Sequence, residues 1–262
     1  MNDALIGYSG FVGTTLLRQR TFAARFRSTD IELCRDRTFD LVVCAGASAK
    51  KWLANREPES DRKAIHNLMG NLATIKCRMF VLVSTVDVFA SPSDVFETTP
   101  VDESALHAYG VHRRLLEQFV AATFTNHLIL RLPGLVGPGL KKNVIFDFLN
   151  ANSLGTIDSR STFQFYPMMN LWNDLRRALA LKLQLLHLVA APVSVAEIAR
   201  EGFGLDFEQV LPSAPAHYDV GSIHAAAFGG TDRYQYDRRE TMVAIRAFAQ
   251  SEPRTSSTTG AN

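Results

Sequence analysis

Gly7-Tyr8-Ser9-Gly10-Phe11-Val12-Gly13 stands directly behind the apolar run Ala4-Leu5-Ile6 and directly ahead of Thr14-Thr15-Leu16-Leu17. Glycines at i, i+3 and i+6 between a strand and a helix have the makings of a dinucleotide-binding turn. Gly7 permits the tight turn, Gly10 lets the backbone come close to a pyrophosphate, and Gly13 lets the helix pack on the strand. The helix N-terminus then offers unpaired N–H groups and a positive dipole end to the phosphates.

Such a turn needs a sheet behind it, and the chain supplies short apolar runs alternating with helical patterns. Ala4–Ile6, residues 24–27, residues 40–47, residues 79–85 and residues 127–131 read as strands. Residues 60–75 and 109–123 read as helices. This pattern predicts an α/β fold with a parallel, doubly wound sheet. Too few residues separate the second strand from the one at Asp40 for a further full β-α unit. After Pro133 the character changes to glycine-rich loop and mixed short elements. Ser194 and Glu197 have capping-box spacing at a helix start. Residues 251–262 are rich in Ser and Thr, lack bulky apolar side chains, and read as a flexible tail.

Composition narrows the partners. Hydrophobic residues make up 47% and charged residues 21% of the 262 positions, as in an ordinary soluble globular protein. A net charge of +2 with no block of like charge gives no reason to expect nucleic acid as a partner. No apolar run nears the ~18 residues of a membrane span. Cys34, Cys44 and Cys77 lack CxxC spacing, and the histidines lack ligand spacing. They read as thiols in a reducing, cytoplasmic setting, with no metal site expected.

The glycine spacing resembles the fingerprint of the extended short-chain dehydrogenase/reductases, the nucleotide-sugar epimerase, dehydratase and reductase group. In layout the chain is most similar to the compact reductases. The resemblance implies a Rossmann domain over residues 1–133. It also implies a smaller substrate region over 134–250, with segments returning to the sheet. Many members of the family are homodimers.

It further implies a catalytic set. The family's Ser/Thr…Tyr-x-x-x-Lys pattern falls on Thr85, Tyr109 and, in the lysine position, Arg113. Tyrosine ionises near pH 10 and needs a cation beside it to act as a base at neutral pH. Residues four apart share a helix face, so position 113 can supply that charge. Arginine keeps the charge but cannot reproduce a lysine's compact contact to ribose hydroxyls. Arg114 points about 100° away on the helix. His112 reads as solvent-facing.

Cofactor contacts carry over to Gly7, Ser9, Gly10, Phe11 and Val12 of the turn, to the small strand end Ala45-Gly46-Ala47, and to Pro133. Arg27, with Ser28 and Thr29, leans toward the 2′-phosphate of NADP, while Asp30 keeps NAD open. Asp87, Lys142 and Asn143 are candidate substrate contacts. Many relatives have asparagine where this chain has Gly134. Val86 stands where 4,6-dehydratases carry an acid, which disfavours water elimination. Lys50, Lys51 and Trp52, read as part of a loop bordering the site, could hold a phosphate and stack a base or sugar.

The function implied is NAD(P)-dependent oxidoreduction or epimerisation of a nucleotide-activated sugar. The rival is a catalytically silent Rossmann protein that binds nucleotide or nucleotide-sugar as a sensor or assembly partner.

Overall fold

In a computed structural model that describes residues 2–254, the five expected strands assemble into one parallel sheet with a sixth, Leu185–His187, that was not read as a strand. They are β1 (Asp3–Ile6), β2 (Ala24–Phe26), β3 (Thr38–Cys44), β4 (Lys76–Thr85), β5 (His127–Leu132) and β6 (Leu185–His187). The order is β6-β5-β4-β3-β1-β2, every neighbour parallel. Between β2 and β3 there is one short 3-10 turn, Ile31–Cys34, and no further strand. The order reverses between β1 and β3, which opens the crevice where ligands bind in such sheets.

Side-chain alternation assigns the two faces. Ala4, Ile6, Val42, Phe80 and Leu82 pack with Ile65, Leu68, Leu72, Leu116 and Val120. The last five belong to α3 (Pro58–Leu72) and α4 (Ala108–Thr123). Leu5, Val43, Val81, Leu128 and Leu130 face the other way. There they meet Leu16 of α1 (Phe11–Gln19) and Leu171 and Leu175 of the helix Leu171–Ala180.

The stretch read as a loop at Lys50–Pro58 is instead a helix, α2 (Lys51–Arg56), running straight into α3. Ala54 anchors α2 in the interior. Pro58 starts α3 where its missing N–H costs nothing.

The later part of the chain forms its own core. Ile145 and Phe148 of α5 (Val144–Asn150) pack there with Val136, Ile198, Ile245 and Phe248. Leu185–His187 meanwhile returns to the main sheet beside β5. With Leu171–Ala180 as α6, the last helix, α7 (Arg238–Ser251), carries Ile245 and Phe248. It includes Ser251, where the tail was expected to begin, and positions 255–262 lie outside the described residues. The capping box at Ser194 and Glu197 is present. No described helix is long and apolar enough to cross a membrane.

Candidate active site

The glycine turn is sterically fixed at two of its three positions. Gly7 has φ +83°, and a Cβ there would lie 2.3 Å from the Ala45 carbonyl oxygen. At Gly13 a Cβ would fall 2.2 Å from the Gly7 carbonyl oxygen. Gly10 differs, because its Cβ would meet only the Gly7 oxygen at 3.5 Å. It caps α1 without a side-chain bond, so the orphan N–H groups of the first turn face the opening above β1. Ser9 and Gly10 are exposed in that opening, and Phe11 and Val12 are half-buried. Ala45-Gly46-Ala47 lies against the turn, with the Ala45 N–H donating to Ile6 at 2.8 Å. A cradle that a Cβ would fill, next to an uncapped helix start, fits the pyrophosphate of a dinucleotide.

The candidate catalytic groups gather at the carboxyl end of β4. Thr85 is its last residue, and the Thr85 hydroxyl accepts from the Asp87 N–H at 3.1 Å. Tyr109 sits in the first turn of α4 and is buried. Its N–H donates to Asn55 of α2 at 3.0 Å. Gly110 permits this approach, since a Cβ there would stand 2.6 Å from the Asp87 carbonyl oxygen. Burial pushes the Tyr109 phenol up, and the Asp87 carboxylate adds to that. Arg113, the Thr85 hydrogen bond and Lys51 pull it back.

Arg113 does reach Tyr109, its guanidinium lying 4.1 Å from the ring centroid. The contact, however, is to the ring face. Its two terminal nitrogens are held by the Asp61 carboxylate and the Ser48 carbonyl. Its Nε is buried without a partner among the described residues. Asp61 also bonds His112 Nδ1 at 2.7 Å, and His112 is buried, contrary to the solvent-facing reading. Burial would raise Asp61, but the Arg113 and His112 bonds outweigh it and hold the carboxyl below its usual range.

Asp87 belongs to a second cluster. Lys51 Nζ donates to its Oδ1 at 2.8 Å and to the Tyr218 hydroxyl at 3.1 Å, and that hydroxyl donates to the same Oδ1 at 2.8 Å. Burial and the Asp87 charge raise the Tyr218 phenol far above the usual tyrosine range. His107 caps α4 by accepting from the Gly110 N–H through Nδ1. Burial and Lys51 lower its pKa, so the ring is neutral at pH 7 with its proton on Nε2. Val86 points away from this cluster into a small apolar core with Val88, Val95 and Val220.

The remaining candidates differ in what they can still contact. Lys142 donates to the Ala49 carbonyl. Removal of its ammonium from water, with Arg113 and Lys50 close by, lowers its pKa against the opposing pull of Asp87. Asn143 caps α5 through Oδ1 and donates from Nδ2 to Leu135 at 2.9 Å, so its amide is occupied within the chain. Arg27 and Asp30 pair with each other at the exposed end of β2. Pro133 follows β5 directly. Gly134 is required by packing, since a Cβ there would lie 2.7 Å from the Gln164 carbonyl oxygen. Trp52 is 61% exposed on α2, with Arg56 over its ring.

Sequence reasoning missed Asp61, Tyr218 and Asn55, which join the site only through tertiary contacts. It also missed the buried network beneath α4. There Glu117 accepts from Arg131 at 2.7 and 2.9 Å and from Ser84 at 2.7 Å. Tyr109, Arg113 and Glu117 recur every four residues, and that helix stripe was the available signal.

No protein-family model matches the chain, and no curated protein sequence does. Solved structures do. A dTDP-4-dehydrorhamnose reductase from Clostridium acetobutylicum matches 95% of this chain over 98% of its own, at TM-score 0.72 and 16% identity. RMD from Pseudomonas aeruginosa, complexed with NADPH, matches 96% over 99%, at 0.72 and 14%. MoeE5, in complex with UDP-glucuronic acid and NAD, matches 93% over 97%, at 0.72 and 16%. The fold is therefore the one that these solved structures share.

Proposed function

We propose that the protein is an NAD(P)-dependent oxidoreductase or epimerase of a nucleotide-activated sugar. One observation carries the reading. The uncapped glycine turn after β1 and the Thr85–Tyr109 pair after β4 open on the same carboxyl edge of the sheet. The NADPH held by RMD, and the NAD and UDP-glucuronic acid held by MoeE5, support it. Gly7, Ser9, Gly10, Phe11, Val12, Ala45, Gly46 and Ala47 would hold the dinucleotide, with Pro133 beside its nicotinamide end. When bound, it supplies or accepts hydride.

The chain's own residues handle the proton. Thr85 would orient the sugar oxygen by hydrogen bonding, and the Tyr109 hydroxyl would give or take that oxygen's proton. Arg113, against the ring face, stabilises the phenolate formed when Tyr109 loses its proton. Asp87, with Lys51 and Tyr218 on it, is a second carboxylate at the same edge and suits proton transfer in an epimerisation. Lys142 and Lys51 would meet the diphosphate of the substrate as cations. The three free cysteines suit a cytoplasmic protein. We take a homodimer as its assembly, which light scattering on the purified chain tests.

The decisive test is a titration with NADPH and with NADH, followed by a screen of nucleotide-sugars for turnover. Saturable binding plus turnover sustains the proposal. Preference for NADPH would assign Arg27 to the 2′-phosphate. The Asp61 pairing of Arg113 favours a second reading, a binding protein without turnover. That reading wins if the protein and its Arg113→Lys variant both bind dinucleotide and neither turns over any sugar. Absence of binding by folded protein removes the first reading.

A further inference from the structure

The opposite, amino edge of the same sheet holds a cavity of about 620 Å³. Four arginines, Arg20, Arg78, Arg176 and Arg177, line it against a single acidic residue, Asp3. Arg78 and Arg176 are exposed and make no ion pair among the described residues. Arg20 bonds Asp3 Oδ2 at 2.5 Å and lies 4.2 Å from the Trp172 ring centroid. The other oxygen, Asp3 Oδ1, is buried without a hydrogen-bond partner among the described residues. Leu41, Met79 and Leu179 give the cavity an apolar floor. A neighbouring cavity of about 460 Å³ shares Arg78, Met79 and Leu179 and adds Lys182.

These features ask for one kind of ligand. Unpaired guanidinium forks recognise phosphate oxygens in paired hydrogen bonds. An indole beside an apolar floor accepts a flat ring. A buried carboxylate oxygen without a donor is costly, and a hydroxyl or amino group would relieve it after a small side-chain adjustment. The volume falls within the range of small-molecule sites. The geometry points to a binding site for a nucleoside phosphate, its phosphate on Arg78 and Arg176 and its base toward Trp172. Asp3 is the first residue of β1 and Gly7 follows the last, so this site and the glycine turn occupy opposite ends of one strand. The inference does not depend on the proposed activity.

The chain has two tryptophans, so Trp52→Phe leaves Trp172 as the sole reporter. In that background we expect UDP to change Trp172 fluorescence saturably. Arg78→Glu and Arg176→Glu each remove a charged donor from an exposed position. Each is expected to weaken UDP binding by about tenfold or more, while circular dichroism shows the fold intact. Inorganic phosphate is expected to bind far more weakly than UDP. No saturable change would overturn the assignment, as would a change that survives both charge reversals. Phosphate matching UDP would reduce the site to an anion patch and equally overturn it.

Discussion

Arg113 places its guanidinium carbon 4.1 Å from the Tyr109 ring centroid, and Asp61, reaching over from α3, grips that guanidinium, with one contact at 3.0 Å. The pair is buried on both sides, with side-chain exposures of 3% and 8%. This arrangement splits the work a lysine would do at position 113. Charge still reaches the phenol, because Arg113 lowers the Tyr109 pKa against burial. The Arg113 terminal nitrogens are turned to Asp61 and Ser48, and its Nε is buried without a partner among the described residues.

Asp61→Asn tests the division. Removing the countercharge leaves Arg113 acting on Tyr109 less cancelled, so the phenol should titrate lower. The pH limb of kcat/KM that reports Tyr109 should move down with it. Stability should fall at the same time, because a buried guanidinium loses its carboxylate, at a cost of about 3–5 kcal/mol. A limb that stays in place, alongside a lowered Tm, would show Asp61 to be structural only.

Tyr109→Phe removes the hydroxyl and keeps the ring on Arg113. Loss of a positioned acid/base should lower turnover by about 10²–10⁴-fold. Dinucleotide affinity should hold within a factor of two or so, because the glycine turn is untouched. If turnover survives, the proton is moved by another group, and Tyr218 on Asp87 is the next to test.

β1, β3, β4 and β5 were readable because each carries an apolar run whose two faces both need cover, whereas Leu185–His187 is too short to show one. The glycine turn was readable because only glycine satisfies Gly7 and Gly13. Thr85, Tyr109 and Arg113 were placed together by the family resemblance, spacing adding only that Tyr109 and Arg113 share a helix face. Asp61 could not be placed with them. In sequence it is an ordinary acid in the first turn of a helix, where the dipole alone would explain it. Its pairing across to α4 exists only once α3 and α4 pack. Tyr218 is harder still, arriving from the far end of the chain onto Asp87. Lys50–Pro58 misled because two lysines and a proline suggest a loop, whereas burial of Ala54 and the proline at the start of α3 make two abutting helices.

Gly7→Ala probes the turn itself. It would place a methyl 2.3 Å from the Ala45 carbonyl oxygen at φ +83°. Binding of NADPH should be lost, with destabilisation of about 1–3 kcal/mol from backbone strain. Gly10→Ala should be milder on stability, since its Cβ meets only one atom at 3.5 Å, yet it should weaken dinucleotide binding by crowding the phosphates. Equal affinity in wild type and Gly10→Ala would mean that no phosphate approaches that residue.

Glu117 supports the site from beneath α4. It is fully buried, accepts two bonds from Arg131 and one from Ser84, and lies one helical repeat beyond Arg113. Glu117→Ala leaves Arg131, itself 2% exposed, as an uncompensated buried cation. A loss of about 3–5 kcal/mol is expected from denaturant unfolding. Glu117→Ala with Arg131→Met should recover much of it, because removing both charges also removes the desolvation penalty. Recovery below the single-mutant value would show that the pair contributes net stability.

His187 gives the fold a defined acid sensitivity. Its Nδ1 faces the Gly221 carbonyl at 3.0 Å, so the proton sits there and Nε2 is left as an acceptor 3.3 Å from Arg131. Protonating Nε2 would set a second cation against Arg131. Burial, followed by that Arg131 charge, pushes the pKa down to about 4, against Glu97 and Glu117. The unfolded chain, titrating near 6.5, therefore binds the proton first as pH falls. The stability linked to His187 is complete above about pH 6.5 and is lost progressively toward pH 4, by about 3 kcal/mol in all. Urea unfolding at pH 7, 6, 5 and 4 should show that decline, and His187→Gln should flatten it. Parallel pH slopes in the two proteins would place the acid sensitivity elsewhere; Asp61, whose depressed carboxyl holds its stability down to the ordinary carboxylate range and loses it only below that, would not account for it.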